Sequence, residues 1–196
     1  TMDSFSLGGR LQGNGLYINK NRGESLTATV DLRDLPHAAS GLVVARVDSV
    51  MLAGIVLDTI GGQIRLGDLT HGRFSAGALL HNGPTAAAAG NWARSGGGDD
   101  VLLDSLGLLV GEARWRLAAP SHLVLDSAGL RVDSLLLRNA DTAAVAIAVN
   151  APASGAAQVS LRATHVPLRD LGILAQLTDS LTGIADATVS VTGTKS

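Results

Sequence analysis

The sequence predicts an all-β protein, a mostly antiparallel sheet with one short helix near residues 168–181. Three observations predict it. Apolar and polar residues alternate with period two in segment after segment. Glycine-rich turn signals separate those segments. The one stretch of helical periodicity is bracketed by Pro167 and Gly183.

The strand patterns are explicit. "SLTATVDLRDL" sets Leu26, Ala28, Val30 and Leu32 against Ser25, Thr27, Thr29, Asp31 and Arg33. "EARWRL" places Ala113, Trp115 and Leu117 opposite Glu112, Arg114 and Arg116. "TAAVAIAVNA" points Val145, Ile147 and Val149 one way, and "AAQVSLRATHV" sets Ala157, Val159, Leu161 and Ala163 against Gln158, Ser160, Arg162 and Thr164. Alternation with one wet face is the pattern of half-buried antiparallel strands. Between them fall "GGR", "GNG", "NRGE", "TIGG", "HNGP", "RSGGGDD" and "NAP", clusters that hold 11 of the 24 glycines. At hairpin spacing the chain accommodates roughly 15 strands. In "LRDLGILAQLTDSL", Leu168, Leu171, Leu174, Leu177 and Leu181 recur at steps of three and four. That places a leucine stripe on one side of a helix, expected to dock against the sheet or across its mouth. Pro167 suits the start of this helix and Gly183 a left-handed cap after it.

Composition bounds the function. The 196 residues suffice for one domain or for a segment of a repeating architecture. Hydrophobic residues make up 46% of the chain and aromatics only 3%, so space is filled by Leu, Val and Ala, which makes wide, smooth apolar surface. A net charge of −2 offers nothing to a phosphate backbone, and nucleic acid is not an expected partner. With no cysteine there are no disulfides, thiolate chemistry or zinc–cysteine sites. No apolar run approaches the roughly 20 residues of a spanning helix, and no signal peptide is recognisable. The chain opens on Thr1 and stops in the strand-like "VTGTKS", which reads as one segment, 1–196, of a longer protein.

Four near-copies of one phrase recur: "VDSVML" from Val47, "LDSLGLL" from Leu103, "LDSAGL" from Leu125 and "VDSLLL" from Val132. Their acids, Asp48, Asp104, Asp126 and Asp133, are expected to point outward and keep a sheet face wet, in different strands and without the dense oxygen spacing of a calcium loop. A second repeated grammar joins Leu35-Pro36 to Val166-Pro167. Together they suggest degenerate repeats that stack on their neighbours. His37, His71, His81, His122 and His165 form no paired ligand motif, and the chain contains no phosphate loop or nucleophile elbow. No catalytic residue, metal site or cofactor is expected, and the protein reads as a non-enzyme.

The second half carries a family resemblance. "WRL" from Trp115 followed by "PSHLVL", then "LRVDSLLLRN" from Leu130, "NAPASGAAQVSLRATHVPLRDL" and "LTGIADATVSVTGT" together resemble the TamB-like part of the AsmA-like superfamily, over about residues 112–194. The resemblance implies a long curved sheet forming an open taco-like groove with an apolar concave face. It also implies a periplasmic location in the cell envelope and a role in phospholipid transport between inner and outer membranes and in outer-membrane protein assembly. Phospholipid acyl chains are then the expected ligands, and Leu26, Val30, Leu32, Trp115, Leu117, Val145, Ile147, Val149, Val159 and Leu161 the expected groove lining. The sequence shows neither the inner-membrane anchor nor the region that meets an outer-membrane β-barrel partner, so both contacts are expected through regions outside this segment. The alternative is an extracellular β-solenoid module of the adhesin type, which would share the repeats, the turns and the absence of cysteine.

Overall fold

The computed structural model describes residues 4–18, 21–52, 55–81, 83–139, 142–177 and 181–195. The period-two segments become thirteen strands: β1 (Phe5–Ile18), β2 (Asn21–Leu35), β3 (Ser40–Leu52), β4 (Ile55–Leu66), β5 (His71–Leu80), β6 (Thr85–Ser95), β7 (Gly98–Val110), β8 (Ala113–Leu117), β9 (Ser121–Asp126), β10 (Gly129–Arg138), β11 (Ala144–Pro152), β12 (Gly155–Pro167) and β13 (Ile184–Lys195). One helix, α1 (Leu168–Leu174), interrupts them. All thirteen strands join a single antiparallel sheet in which chain neighbours pair, so the expected nearly all-β, antiparallel fold with one short helix is what the chain adopts.

The order departs from a plain meander at one place. β8 and β9 both run antiparallel to β7 and to β10, and each covers half of their length. They are one strand broken at Ala118–Pro120. Proline cannot donate to a ladder, which makes it a natural point of interruption.

The Asp-Ser phrases mark irregularities of the ladder. Asp104 is the extra residue where β6 and β7 shift register between Ala89 and Gly90. Asp133 and Ser134 fall in the shift between Val132 and Leu135 of β10. Ser49, after Asp48, has φ 52°, and Asp126 closes the β9–β10 turn by accepting from the Ala128 and Gly129 N–H groups. Asp104 and Asp133 also flank the β8–β9 break on its two sides. A bulge bends its strand and strengthens the local twist, so the repeated phrase sets where strands bend.

The helix differs from expectation. It ends at Leu174, and residues 178–180 of the expected span lie outside the described residues. Its terminus is a Schellman arrangement: the Gln176 N–H donates to the Ile173 carbonyl and the Leu177 N–H to that of Gly172, with Gln176 at φ 54°. Gln176 thus holds the left-handed position expected of Gly183, whose carbonyl instead accepts the Leu168 N–H at 2.9 Å. The leucine stripe does not dock as a unit. Leu171 and Leu177 stay exposed, while Asp170 is buried and Ile173 and Leu174 pack on the core. That core is small: Val110, Trp115, Leu137, Ala143 and Val166, gathered beneath α1.

Candidate functional site: an open apolar sheet face

Because paired residues share a face, the register sorts the side chains of the whole sheet. One row runs Leu26, Val47, Ile60, Ala78, Ala86, Leu108, Trp115 from β2 to β8. Trp115 and Leu117 lie on the same face of β8, and from Leu117 a second row continues through Leu137, Val145, Ala163 and Ala187. Parallel rows join Leu135, Ile147, Leu161 and Val189, and Val132, Val149, Val159 and Val191. Val30 and Leu32 pair with Val43 and Gly41 on that same face. The structure therefore brings all ten sequence-nominated residues onto one face.

Among the described residues no second layer covers this face except at α1, so its aliphatic side chains are mostly only half-buried. Exposure peaks toward the margins, at 60% for Leu11 and 58% for Val191. Towards the middle the side chains shrink to Gly62, Ala76, Ala78, Ala86 and Ala88. Near the far end Gly72 lets Leu66 and Trp92 close over it in register, beside a depression of about 430 Å³ lined among others by Arg65, Leu66, Arg73 and Trp92. Beyond it the face ends in an ionic rim. The Trp92 indole N–H donates to Asp99 at 3.0 Å, and Arg94 pairs with the same carboxylate at 2.8 Å while lying over the Trp92 ring. The Arg94 hydrogen bond first, and the indole second, hold the Asp99 carboxyl below its ordinary range.

At the opposite end α1 closes over the face. The Trp115 indole N–H donates to the buried Asp170 carboxylate at 3.0 Å, and Ile173 and Leu174 meet the aliphatic cluster around Trp115. Gln176 then reaches β4. Its side-chain amide donates to the Val56 carbonyl at 2.8 Å and accepts from the Val56 N–H at 3.3 Å.

The other face is polar. Asp48 accepts from Thr59, Arg46 and Ser25, which hold its carboxyl below the usual range, Thr59 contributing most. In the β4–β5 turn Asp68 accepts from Thr70 side chain and backbone and from His71, lowering its pKa to about 2. Four histidines lie against single aspartates: His71 with Asp68, His81 with Asp58, His122 with Asp100 and His165 with Asp186. Among the described residues no group of three or more His, Asp or Glu side chains gathers at metal-ligating range. Among the described residues the arrangement offers a long apolar surface on one face and separate polar pairs on the other.

Sequence reasoning missed three features: the broken strand, the dock between Gln176 and Val56, and a cluster of unpaired arginines on the polar face. Pro120 inside "RLAAPSHL" was a readable signal for the first. Comparison with protein-family models, curated proteins and solved structures finds no match to this chain.

Proposed function

We propose that this chain is a lipid-conducting segment of a TamB-like envelope protein. In this reading the apolar face lines an open trough along which phospholipid acyl chains pass between inner and outer membranes, in support of outer-membrane protein assembly. The protein works in the periplasm, and the inner-membrane anchor and the β-barrel partner are reached through regions outside this segment. No enzymatic step is assigned to it.

The observation that carries the reading is the apolar face itself, continuous from β2 to β13 and half exposed. Each methylene taken from water onto such a surface is worth about 0.8 kcal/mol, so a chain of a dozen or more is held firmly without any specific contact. Small side chains along the middle suit a chain that must slide.

Curvature has separate support. β4 and β12 are joined in the sheet through β5, β6, β7, β8, β10 and β11. At about 4.8 Å per step a flat sheet holds them roughly 34 Å apart. Yet the chain leaving β12 at Pro167 reaches Val56 of β4 from Gln176, across one seven-residue helix of about 10 Å and two further residues. A curled sheet with the apolar face inward satisfies that reach. The sequential antiparallel order weighs against the solenoid alternative, whose rungs stack in parallel coils.

The test is lipid occupancy. Phospholipid photocrosslinked to or co-purified with the protein should fall for Ile147→Asp and Leu161→Asp, because an unpaired charge among acyl chains is costly. Arg162→Asp, on the opposite face, should leave it unchanged. Equal labelling of inward and outward variants, or no lipid on the unaltered protein, rejects the conduit.

A further inference from the structure

Three arginines meet on the polar face, and Glu112, two residues before Arg114, forms no ion pair with any of them. Arg116 of β8 is the direct cross-strand partner of Arg138 of β10, and Arg114 lies two residues from Arg116 on the same face. All three are exposed. Side chains directly opposite in antiparallel strands stand roughly 5 Å apart at Cβ, and like charges placed there repel. Four other arginines have an acid beside them, Arg33 with Asp31, Arg46 with Asp48, Arg94 with Asp99 and Arg131 with Asp133, whereas Arg65 and Arg73 form a second direct cross-strand arginine pair, without a third arginine two residues away. Among the described residues no carboxylate pairs with Arg114, Arg116 or Arg138.

Along the row beside Arg116 the side chains are small. The row that holds Arg138 and Arg116 continues through Gly107, Ala87, Gly77 and Gly61. A notch of about 250 Å³ opens there, lined among others by Thr85, Ala87, Gly107, Arg114 and Arg116. The Arg114 and Arg116 guanidinium groups thus border a floor of Gly107 and Ala87, with Leu109 beside Arg114 on the same face and Arg138 next to Arg116 outside the notch.

We infer that Arg114, Arg116 and Arg138 form a binding site for a phosphate group, seated on the Gly107–Ala87 floor. An anion relieves the repulsion built into the cross-strand pair. The planar guanidinium fork matches phosphate oxygens two at a time, and a phosphate of charge near −2 balances a cluster of three cations that no side chain neutralises. The site lies on the face opposite the aliphatic rows, so it is independent of the conduit and stands or falls separately from it.

Inorganic phosphate and pyrophosphate are the probes. Binding is followed through the arginine Nε–Hε NMR signals and the melting temperature, in the unaltered chain and in R116Q/R138Q, R116K/R138K and R162Q. Sedimentation with phosphatidylglycerol vesicles, against phosphatidylcholine vesicles, separates a lipid headgroup from a soluble phosphate as the source. Saturable binding is expected, weakened roughly tenfold or more in R116Q/R138Q and unchanged in R162Q. The lysine variant should fall between, since it keeps the charge without the fork. Without anion, R116Q/R138Q should melt no lower than the unaltered chain, and phosphate should raise the melting temperature of the latter alone. Equal binding by R116Q/R138Q and the unaltered chain, or no response to phosphate, pyrophosphate or anionic vesicles, overturns the site.

Discussion

Gln176 holds Val56 by both of its backbone groups, donating to the carbonyl at 2.8 Å and accepting from the N–H at 3.3 Å. The two residues are 120 positions apart in the chain. The side-chain amide joins the His81 N–H, just past the end of β5, which donates to the same Val56 carbonyl at 3.1 Å. Gln176 also sits at φ 54°, a conformation that costs a non-glycine residue about 1 kcal/mol or more. The dock offsets that strain, which explains why the helix turns off here rather than at Gly183.

Gln176→Ala keeps the strained backbone and loses both hydrogen bonds. A loss of about 1–2 kcal/mol is expected in urea denaturation, because the Val56 N–H loses this acceptor while the carbonyl keeps the His81 N–H at 3.1 Å. Gln176→Gly loses the same bonds but relieves the strain, so it should cost less than the alanine change. A glycine variant less stable than the alanine one contradicts this account.

The helix packs through Ile173 and one residue of the leucine stripe, Leu174, while Leu171 and Leu177 stay exposed. Ile173→Asp places a charge among Val110, Trp115 and Val166 and should cost about 3 kcal/mol or more, enough to lower the melting temperature by several degrees. Leu171 is 41% exposed, so Leu171→Asp should change stability by no more than about 1 kcal/mol. Comparable losses from the two changes would mean that α1 docks by its other side.

Strand periodicity was legible because each strand has one wet face: "EARWRL" and "AAQVSLRATHV" sorted their residues onto the faces where Trp115 and Leu161 are found. The helix was legible in kind but not in extent. Five leucines at helical spacing could not reveal that Gln176 is drawn out of the helix by a backbone 120 residues earlier. The Asp-Ser phrases were read as outward teeth on regular strands. A period-two pattern carries no mark of the extra residue in a bulge, so the register shifts at Asp104 and Asp133 lay beyond it. The Arg116–Arg138 pair was hidden for a similar reason, because cross-strand partners are set by register and not by sequence distance.

Acid should loosen the polar face in a defined window. The Asp68 carboxyl is held at about 2 by its Thr70 and His71 partners, and those of Asp48 and Asp99 are also lowered. A depressed carboxylate contributes its stability in full above the unfolded value near 3.8 and loses it as pH falls through the folded one. Melting temperature should therefore drop between about pH 4 and pH 2. Asp68→Asn should flatten that part of the profile while leaving the shape above pH 5 alone. A profile as steep as that of the unaltered chain would show that the turn contributes nothing to acid lability.

Ser121 begins β9 directly after the strand break, only 2% exposed, and its hydroxyl has no hydrogen-bond partner among the described residues. It shares the apolar face with its neighbours Leu103 and Leu123. A buried hydroxyl without a partner costs about 1–3 kcal/mol relative to one that is paired. Alanine removes the unsatisfied oxygen and leaves a space of one atom, and a space that small costs about 1 kcal/mol or less. The two effects set the expectation for Ser121→Ala: unchanged or raised stability, by up to about 1 kcal/mol, measured by urea denaturation with an unaltered slope. Ser121→Val should do worse, because the added methyl must fit against Leu103 beside the break. A clear loss on Ser121→Ala would mean that the hydroxyl is bonded in solution, and would place a polar contact at the gap between β8 and β9.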